Sequence, residues 1–563
     1  MVSQNAPLKN TEQELKWIIS HRQDWLKLQE ALGKAERELH QKNVYLDTED
    51  AYFAARRSML RLREENGRWL FVYKRGLSLE AGYFSALEIE EEVSAEEALA
   101  ISQGQLQAVN EGKVCSQIRQ DGFEGALQVV GEVTNIRRVW PISVAGLEGH
   151  EKFELDCTSF DSEHIEYELE LETLRGDVLQ EEVQAWADRL GVKLGKQKAT
   201  KYERFLRYSA VNKPTISCLM PIYNCAETLV SAVKSICRQT FKSWELIMVD
   251  DGSSDDTVKI AESLATTDPR LRVFRKGHGG IVDTLNFAFK QSRAPFIARM
   301  DGDDISHPER FAEQMRYLQA HVDIAAVGCK IRVFPKKSIT EGMMRYERWL
   351  NKACLPEILE RDIFVESPLV HPSVLLRRSA LEEVGLYEDG RWPEDYQLWL
   401  RMWLKGVKMA KVEKTLFFWR DLPKRLTRVD QRCSHDALRE LKVTFFLKAF
   451  FTPAQEEQGM RSLPFDKRKL IIWGAGPNGK ALAKTLRAHG LEPAYYTDIL
   501  PARHGQTICG LKVLSLEQLP APEGYFLVTA VGNPNSREEI RAFLRERGWQ
   551  EGRDFRCMAG ISD

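Results

Sequence analysis

Over residues 1–210 the chain places charges at every second position and sorts them by sign. Glu12-Gln13-Glu14-Leu15-Lys16 sets two acids and a lysine on one strand face, because strand side chains alternate with a period of two. Arg61-Leu62-Arg63 does the same with guanidiniums, and Lys74 closes Trp69–Lys74, a strand whose other face is aromatic. Glu88, Glu90 and Glu92 alternate again, as do Glu166, Glu168, Glu170 and Glu172. An antiparallel sheet with one face in water accounts for any one of these strands. It does not account for whole strands of one sign, since like charges at i and i+2 repel with nothing gained. A closed barrel does: its rows would face a lumen where carboxylates hold Mg2+ or Mn2+ and cations hold phosphate oxygens. The pattern alone leaves both arrangements open.

The texture changes at Lys213-Pro214. From Thr215, apolar runs alternate with amphipathic helices, one of them carrying Leu229, Ala232, Val233 and Ile236 at helical spacing. This is half of a doubly wound α/β sheet, and it lacks the Gly-rich turn of a dinucleotide fold. Ligands of such sheets gather at the carboxyl ends of strands, and two ends here are acidic. Trp244–Val249 runs into Asp250-Asp251-Gly252-Ser253-Ser254-Asp255, and Pro295–Met300 into Asp301-Gly302-Asp303-Asp304. One acidic turn is a common solvated feature; two in one repeat suggest a divalent cation and a diphosphate. Because the net charge is only −2, phosphate chemistry must rest on such local clusters, with no general pull on nucleic acid or an anionic membrane. Three islands follow: His371-Pro372-Ser373, Trp392–Arg401 and Phe417–Arg420. Glu394 and Asp395 sit just before an amphipathic helix, where acids also serve the helix dipole. His371 belongs either to an acceptor site or to the core.

Residues 431–465 read as a helix and a linker. The apolar run Val443–Leu447 with Phe450-Phe451 either packs on the preceding domain or touches a membrane. In residues 466–563, Lys469–Trp473 leads into Gly474-Ala475-Gly476-Pro477-Asn478-Gly479, with Asp498 at the distance of a dinucleotide fingerprint. The glycines would let the backbone approach a pyrophosphate at a helix N-terminus. Too little chain remains for a dehydrogenase with its own substrate domain. No NAD redox role is expected; the loop holds a nucleotide or nucleotide sugar, or nothing. Ten scattered cysteines without a Cys-x-x-Cys pair exclude a zinc site and a disulfide framework. With no signal peptide and no membrane-spanning apolar run, the expectation is a cytoplasmic protein with no integral membrane segment, peripheral at a membrane if the 443–451 run touches one.

The ordered features carry three resemblances. Glu12-x-Glu14-x-Lys16, Asn43–Thr48, Arg61-x-Arg63, Lys74, Glu88-x-Glu90, Arg137, Glu154-Leu155-Asp156, Glu168-x-Glu170 and Lys198–Arg204 resemble, in order, the CYTH superfamily of triphosphate tunnel metalloenzymes. The resemblance implies a tunnel barrel acting on a triphosphate or polyphosphate. Glu12, Glu14, Glu168 and Glu170 would face the metal, and Glu88, Glu90 and Asp156 would be tunnel acids. Lys16, Arg61, Arg63, Lys74, Arg137, Lys198 and Lys201 would clamp phosphates. Ala86 and Asn135 stand where the family often has basic residues, which favours binding over turnover. The set Pro221-x-Tyr223-Asn224, Asp250–Asp255, Asp301-x-Asp303 and Glu394-Asp395 resembles family-2 glycosyltransferases of GT-A fold over residues 214–430. By that likeness Pro221, Tyr223 and Asp251 line the nucleotide pocket with Asp250 in support, while Asp301 and Asp303 take ribose and metal. Asp395, with Glu394 beside it, would be the general base of an inverting transfer. Leu527–Asn533 and Arg537 are similar to the small Rossmann-like, nucleotide-sugar-binding domain of sugar acyltransferases.

The expected molecule is therefore multidomain: an N-terminal antiparallel β-barrel, a central α/β GT-A fold and a C-terminal α/β Rossmann-like domain. Its expected activity is metal-dependent transfer of a sugar from a nucleotide sugar to a glycan or glycolipid acceptor, with a triphosphate-binding or hydrolysing tunnel. The alternative makes the tunnel the main catalyst, a triphosphatase whose other domains regulate or scaffold.

Overall fold

The computed structural model describes residues 11–80, 83–109, 111–161, 164–173, 175–422, 430–451 and 467–559. It divides into two compact units, Met1–Thr215 with Thr240–Trp244, and Ile216–Gln239 with Glu245–Asp563.

In the first unit, β1 (Thr11–Ile19), β2 (Arg37–Asp47), β3 (Ser58–Glu65), β4 (Arg68–Glu80), β5 (Tyr83–Val93), β6 (Gln128–Pro141), β7 (Lys152–Ser159) and β8 (Ile165–Glu172) form an antiparallel sheet. Its order is β5-β4-β3-β2-β6-β7-β8-β1, and β1 pairs back onto β5, Thr11 opposite Leu87 and Leu15 opposite Tyr83. The sheet is thus a closed barrel, with β9 (Leu194–Lys196) added beside β1. The period-two pattern dictates the rest. Leu15, Trp17 and Ile19 point outward into a core with Trp25, Leu28, Leu179 and Val183, supplied by helices Arg22–Leu32 and Gly176–Arg189. Val44, Leu46, Leu60, Leu62 and Phe71 form a second outer core with the helices Ala95–Ser102 and Lys113–Gln120. The apolar cores therefore lie outside the barrel wall, and the interleaved charges inside. Lys74 does not close its strand; β4 runs on to Glu80 and sets Lys74 opposite Glu88.

The second unit contains two sheets. The larger orders as β12-β11-β10-β13-β16-β15-β17-β14, from β10 (Ile216–Ile222), β11 (Trp244–Asp250), β12 (Leu271–Arg275), β13 (Phe296–Arg299), β14 (Ile305–Ser306), β15 (Ile324–Phe334), β16 (Leu375–Arg377) and β17 (Lys408–Arg420). β10 and β13 pair in parallel, as do β11 and β12, whereas β16 is antiparallel to β13 and β15. β10, β11 and β13 are buried throughout, which explains their continuous apolar runs.

The smaller sheet orders as β20-β21-β19-β18-β22-β23, from β18 (Lys469–Trp473), β19 (Tyr495–Thr497), β20 (Thr507–Ile508), β21 (Leu511–Leu514), β22 (Tyr525–Thr529) and β23 (Phe555–Cys557), parallel except at β20–β21. Helix His435–Phe450 spends its apolar residues on the interior: Phe446 is fully buried, edge-on to Phe364 at 6.1 Å and to Phe526 at 5.5 Å. Of the two expectations for this run, packing is the one realised. Among the described residues no helix is long and apolar enough to cross a membrane.

Candidate functional sites

Inside the barrel lies a cavity of about 250 Å³, lined by Glu14, Lys16, Arg61, Arg63, Lys74, Glu88, Glu90, Arg137, Glu170 and Lys201, with Gln41, Asn43, Tyr45 and Asn135 among its neutral residues. Lys16 bridges Glu14 at 2.7 Å and Glu170 at 3.0 Å. Arg137 reaches Glu170 at 2.6 Å and forks onto both oxygens of Asp156, and Lys201 meets Glu170 at 2.8 Å. Burial opposes ionisation of Glu170, but Lys16, Lys201 and Arg137 outweigh it and hold its carboxyl well below the usual range. Lys74 pairs with Glu88 at 2.8 Å, with Arg61 3.7 Å away on the same carboxylate. Six cations against four acids leave the lining with a positive excess, which suits an anionic guest.

Several expected tunnel residues sit elsewhere. Glu168 shares the inward face of β8 but is fully buried and sealed by Arg204 at 2.5 Å and Gln197 at 2.9 Å, so it does not line the cavity. A buried carboxylate needs such partners, and these are taken up within the wall. Asp156 is likewise fully buried, held by Arg137 and Lys201 behind the lining. Lys198 lies in the turn before helix Lys201–Asn212, its amide bonded to Gln197, and does not line the cavity either. The side chain of Glu12 lies outside the described residues. Asn135 donates to Gln41 at 3.0 Å and accepts from Thr158 at 3.0 Å, so where a cation was expected there is a neutral, satisfied amide network.

In the second unit, β13 ends in a turn where ligand oxygens of Asp301, Asp303 and Asp304 lie within 4.8 Å of one another. An all-oxygen set of this kind fits Mg2+ or Mn2+. Asp304 is 1% exposed and accepts the Arg420 amide at 2.7 Å, which makes it the brace of the turn. Asp301 and Asp303 are the more open pair. Gly302 lets the turn lie close to Cys225, since a Cβ would stand 2.8 Å from its Sγ and force that side chain to shift. Arg299, buried at the end of β13, donates to Asp301 at 2.6 Å. Sequence reasoning missed it, although a charge next to the end of an apolar strand was a readable signal.

The other acidic strand end is architectural. Asp250 accepts the Gly252 and Ser253 amides, and Asp251 takes Lys276 at 2.7 Å and the Gly279 and Gly280 amides at 2.9 and 3.0 Å. Burial resists ionisation of Asp251, yet these donors pull its carboxyl below the ordinary value. Both carboxylates are nearly buried, Asp251 with 5% of its surface exposed. Their work is to shape the loop that brings His278 onto Tyr223, ring centroids 4.9 Å apart. Tyr223 is half exposed and Pro221 is buried in β10.

Glu394 and Asp395 open the helix Glu394–Leu404. Burial, and then the charge of Glu394, push the Asp395 carboxyl up to about 7, while the Tyr396 amide at 2.6 Å and Arg299 pull the other way. For Glu394 burial is outweighed by His371 and Arg299, which keep its carboxyl below the usual value. His371 is 5% exposed, 3.1 Å from Tyr387 Oη and 3.6 Å from Glu394 Oε1. Burial and Arg299 lower its affinity for a proton. It is therefore a core histidine that faces the acidic pair.

At the start of the last sheet, Gly479 has no room for a side chain: a Cβ would fall 1.7 Å from Gly474 O. Gly474 adopts a left-handed φ of 107°, and Gly476 is the N-cap of helix Pro477–Ala488. Asp498, expected to meet a ribose, accepts the Ala475 amide at 2.7 Å, the Leu500 amide at 2.9 Å and Arg503 at 2.8 Å. It is 4% exposed and closes the loop.

Comparison with known proteins gives two family matches: residues 217–385 match Glycosyl transferase family 2, and residues 10–206 match the CYTH domain. EpsE of Bacillus subtilis (strain 168), named as a glycosyltransferase, is 31% identical over 210 residues, 36% of this chain and 72% of EpsE. The amylovoran biosynthesis glycosyltransferase AmsE of Erwinia amylovora is 29% identical over 207 residues, 36% of this chain and 74% of AmsE. Among solved structures, S. aureus TarS in complex with UDP-GlcNAc is 17% identical, covering 49% of this chain and 72% of that chain at a TM-score of 0.35.

Proposed function

The chain belongs to glycosyltransferase family 2, and from that premise we propose that it moves a sugar from a nucleoside-diphosphate donor to a hydroxyl of a glycan or glycolipid, inverting the anomeric carbon. Asp301 and Asp303 would hold the divalent ion, whose contribution when bound is to neutralise the charge growing on the leaving diphosphate. Tyr223 and His278 offer the nucleobase a stacking surface. Asp395 takes the proton of the attacking hydroxyl, since a carboxylate whose affinity lies near neutrality is matched to that task. The observation that carries this reading is Arg299: one buried guanidinium binds Asp301 at 2.6 Å and acts electrostatically on both Glu394 and Asp395. It ties the acidic strand end to the acidic helix start.

The test is a thermal-shift screen of nucleotide sugars with Mn2+. A donor that binds raises stability by RT ln(1 + [L]/Kd). Metal-dependent stabilisation should vanish in Asp303→Ala; stabilisation that persists there would remove the donor site from this strand end. The same screen covers the Gly474–Gly479 loop, which we read as a Rossmann-like nucleotide-sugar site or an empty structural fold.

A second reading concerns the barrel, with its CYTH match and its positively biased lumen. It binds a triphosphate or polyphosphate, and the neutral Asn135 and Ala86 positions favour retention over rapid hydrolysis.

A further inference from the structure

One segment of the second unit departs from the charge balance of the rest. Between Pro335 and Ala353 the exposed charges are Lys336, Lys337, Arg345, Arg348 and Lys352, against a single exposed acid, Glu341. The chain as a whole carries 80 basic and 82 acidic residues, so this is a local excess, not a general one. None of the five cations makes an ion pair among the described residues. Elsewhere exposed cations commonly have partners: Arg68 with Glu92, Lys259 with Asp256, Arg275 with Glu262 and Lys408 with Asp323.

The segment is presented rigidly. Helix Glu341–Lys352 buries Trp349 and Leu350, and its Tyr346 stacks on Trp349 and lies 6.4 Å from Trp419. Glu341, Met344, Arg345, Arg348 and Lys352 recur at helical spacing and form the outward stripe. Met344 is 46% exposed within it, and Leu355, just past the helix, is 47% exposed. The stripe also adjoins the acidic turn. Phe334, two residues before Lys336, accepts the Asp421 amide at 2.7 Å through its carbonyl and carries the Arg420 guanidinium 4.5 Å above its ring. That same Arg420 bonds Asp303 O at 2.5 Å and, through its amide, Asp304 at 2.7 Å.

We infer that this stripe is a docking surface for an anionic lipid bilayer, placing the rim of the acidic turn against the membrane. Unpaired cations answer phosphate headgroups, and the two exposed apolar side chains answer the acyl boundary beneath them. A soluble anion would call for the cations alone. The membrane contact stands on the surface itself; only its link to a membrane-borne acceptor rests on the transferase reading above.

The full chain should float with vesicles of phosphatidylcholine containing about 30% phosphatidylglycerol and not with pure phosphatidylcholine, since the attraction needs anionic headgroups. Binding should fade between about 0.05 M and about 0.5 M salt as the screening length contracts. Each cation removed should weaken partitioning roughly fivefold, so Lys337→Glu with Arg345→Glu and Arg348→Glu should abolish it. These side chains are exposed, and an unchanged melting curve verifies folding. Lys259→Glu, a reversal of a paired surface cation, should leave binding intact. Met344→Ser should weaken it without altering its salt dependence. Failure of the wild type to bind phosphatidylglycerol vesicles overturns the proposal, as does binding that survives the triple reversal. Capture by soluble polyphosphate that the triple reversal abolishes, with no binding to vesicles, overturns the proposal and assigns the stripe to an anionic polymer; capture that survives the reversal belongs to the barrel. Asp303→Ala should bind vesicles normally, so loss of the donor site and loss of the docking surface are read separately.

Discussion

In the proposed transfer Asp395 is the base, a carboxyl that burial and Glu394 raise toward neutrality. Its ionised form is the active one, so with its affinity raised to about 7 turnover should decline as pH falls below that value. Asp395→Asn keeps the shape and loses the proton acceptor; kcat should drop by roughly 10²–10⁴ with donor binding retained, measured as nucleoside diphosphate released. Turnover within a few-fold of wild type would reduce Asp395 to a helix-start acid. The same shift has a stability side. Unfolded aspartate ionises near its ordinary value of about 3.9, so in the folded chain this group costs nothing below that pH. The cost then grows up to about 7 and is constant above. Its neighbour Glu394 supplies part of the upward push, so Glu394→Gln should move the acidic limb of the rate profile to lower pH. An unmoved limb would mean that burial alone sets the base.

At the scale of elements, Gly479 shows how closely a helix and a strand end can approach. A methyl there would collide with the Gly474 carbonyl, backbone that cannot swing aside, so Gly479→Ala must push helix Pro477–Ala488 off β18. Hydrogen exchange should then rise through that helix and β18 while the barrel strands keep their protection; unchanged exchange would show that the loop has slack. This element was legible from the sequence, because a Gly-rich turn between strand and helix has few other uses. So were the barrel rows: the alternation of Glu14 and Lys16 with Leu15 and Trp17 is the alternation of lumen and outer core. What stayed hidden is which acids are consumed by the wall. Glu168 and Glu170 have the same parity, yet Glu168 is sealed by Arg204, 2.5 Å away, from a helix more than thirty residues later in the chain. The partners of Asp251 and Asp498 were hidden for the same reason. Each stands at a strand end, but backbone amides from a distant loop saturate it, and no local pattern announces that.

For the molecule as a whole, the two proposed anion-binding centres are built by opposite means. In the proposed reading the barrel would surround its guest with a small excess of cations, most of them held by carboxylates that a triphosphate would replace; the central site offers carboxylates and would need a metal between itself and the phosphate. Arg61 and Arg63 are the cations to remove, because both line the cavity and their polar contacts, 3.7 Å to Glu88 and 3.4 Å to Asn43, are longer than those of Lys16, Arg137 or Lys201. Arg61→Ala with Arg63→Ala takes away two of the six lining cations, which removes the positive excess over the four acids and the Arg61 charge beside Glu88. Titration calorimetry with tripolyphosphate and Mg2+ should show binding in the wild type and none in the double variant. The empty variant should also lose stability by more than the few tenths of a kcal/mol typical of surface charges. Donor binding at the central site should be unaffected, because each centre draws its charges from its own unit. Tripolyphosphate heat that survives the double change would place the anion elsewhere in the chain, and absent heat in the wild type would mean that the lumen keeps its charges in pairs and takes no guest.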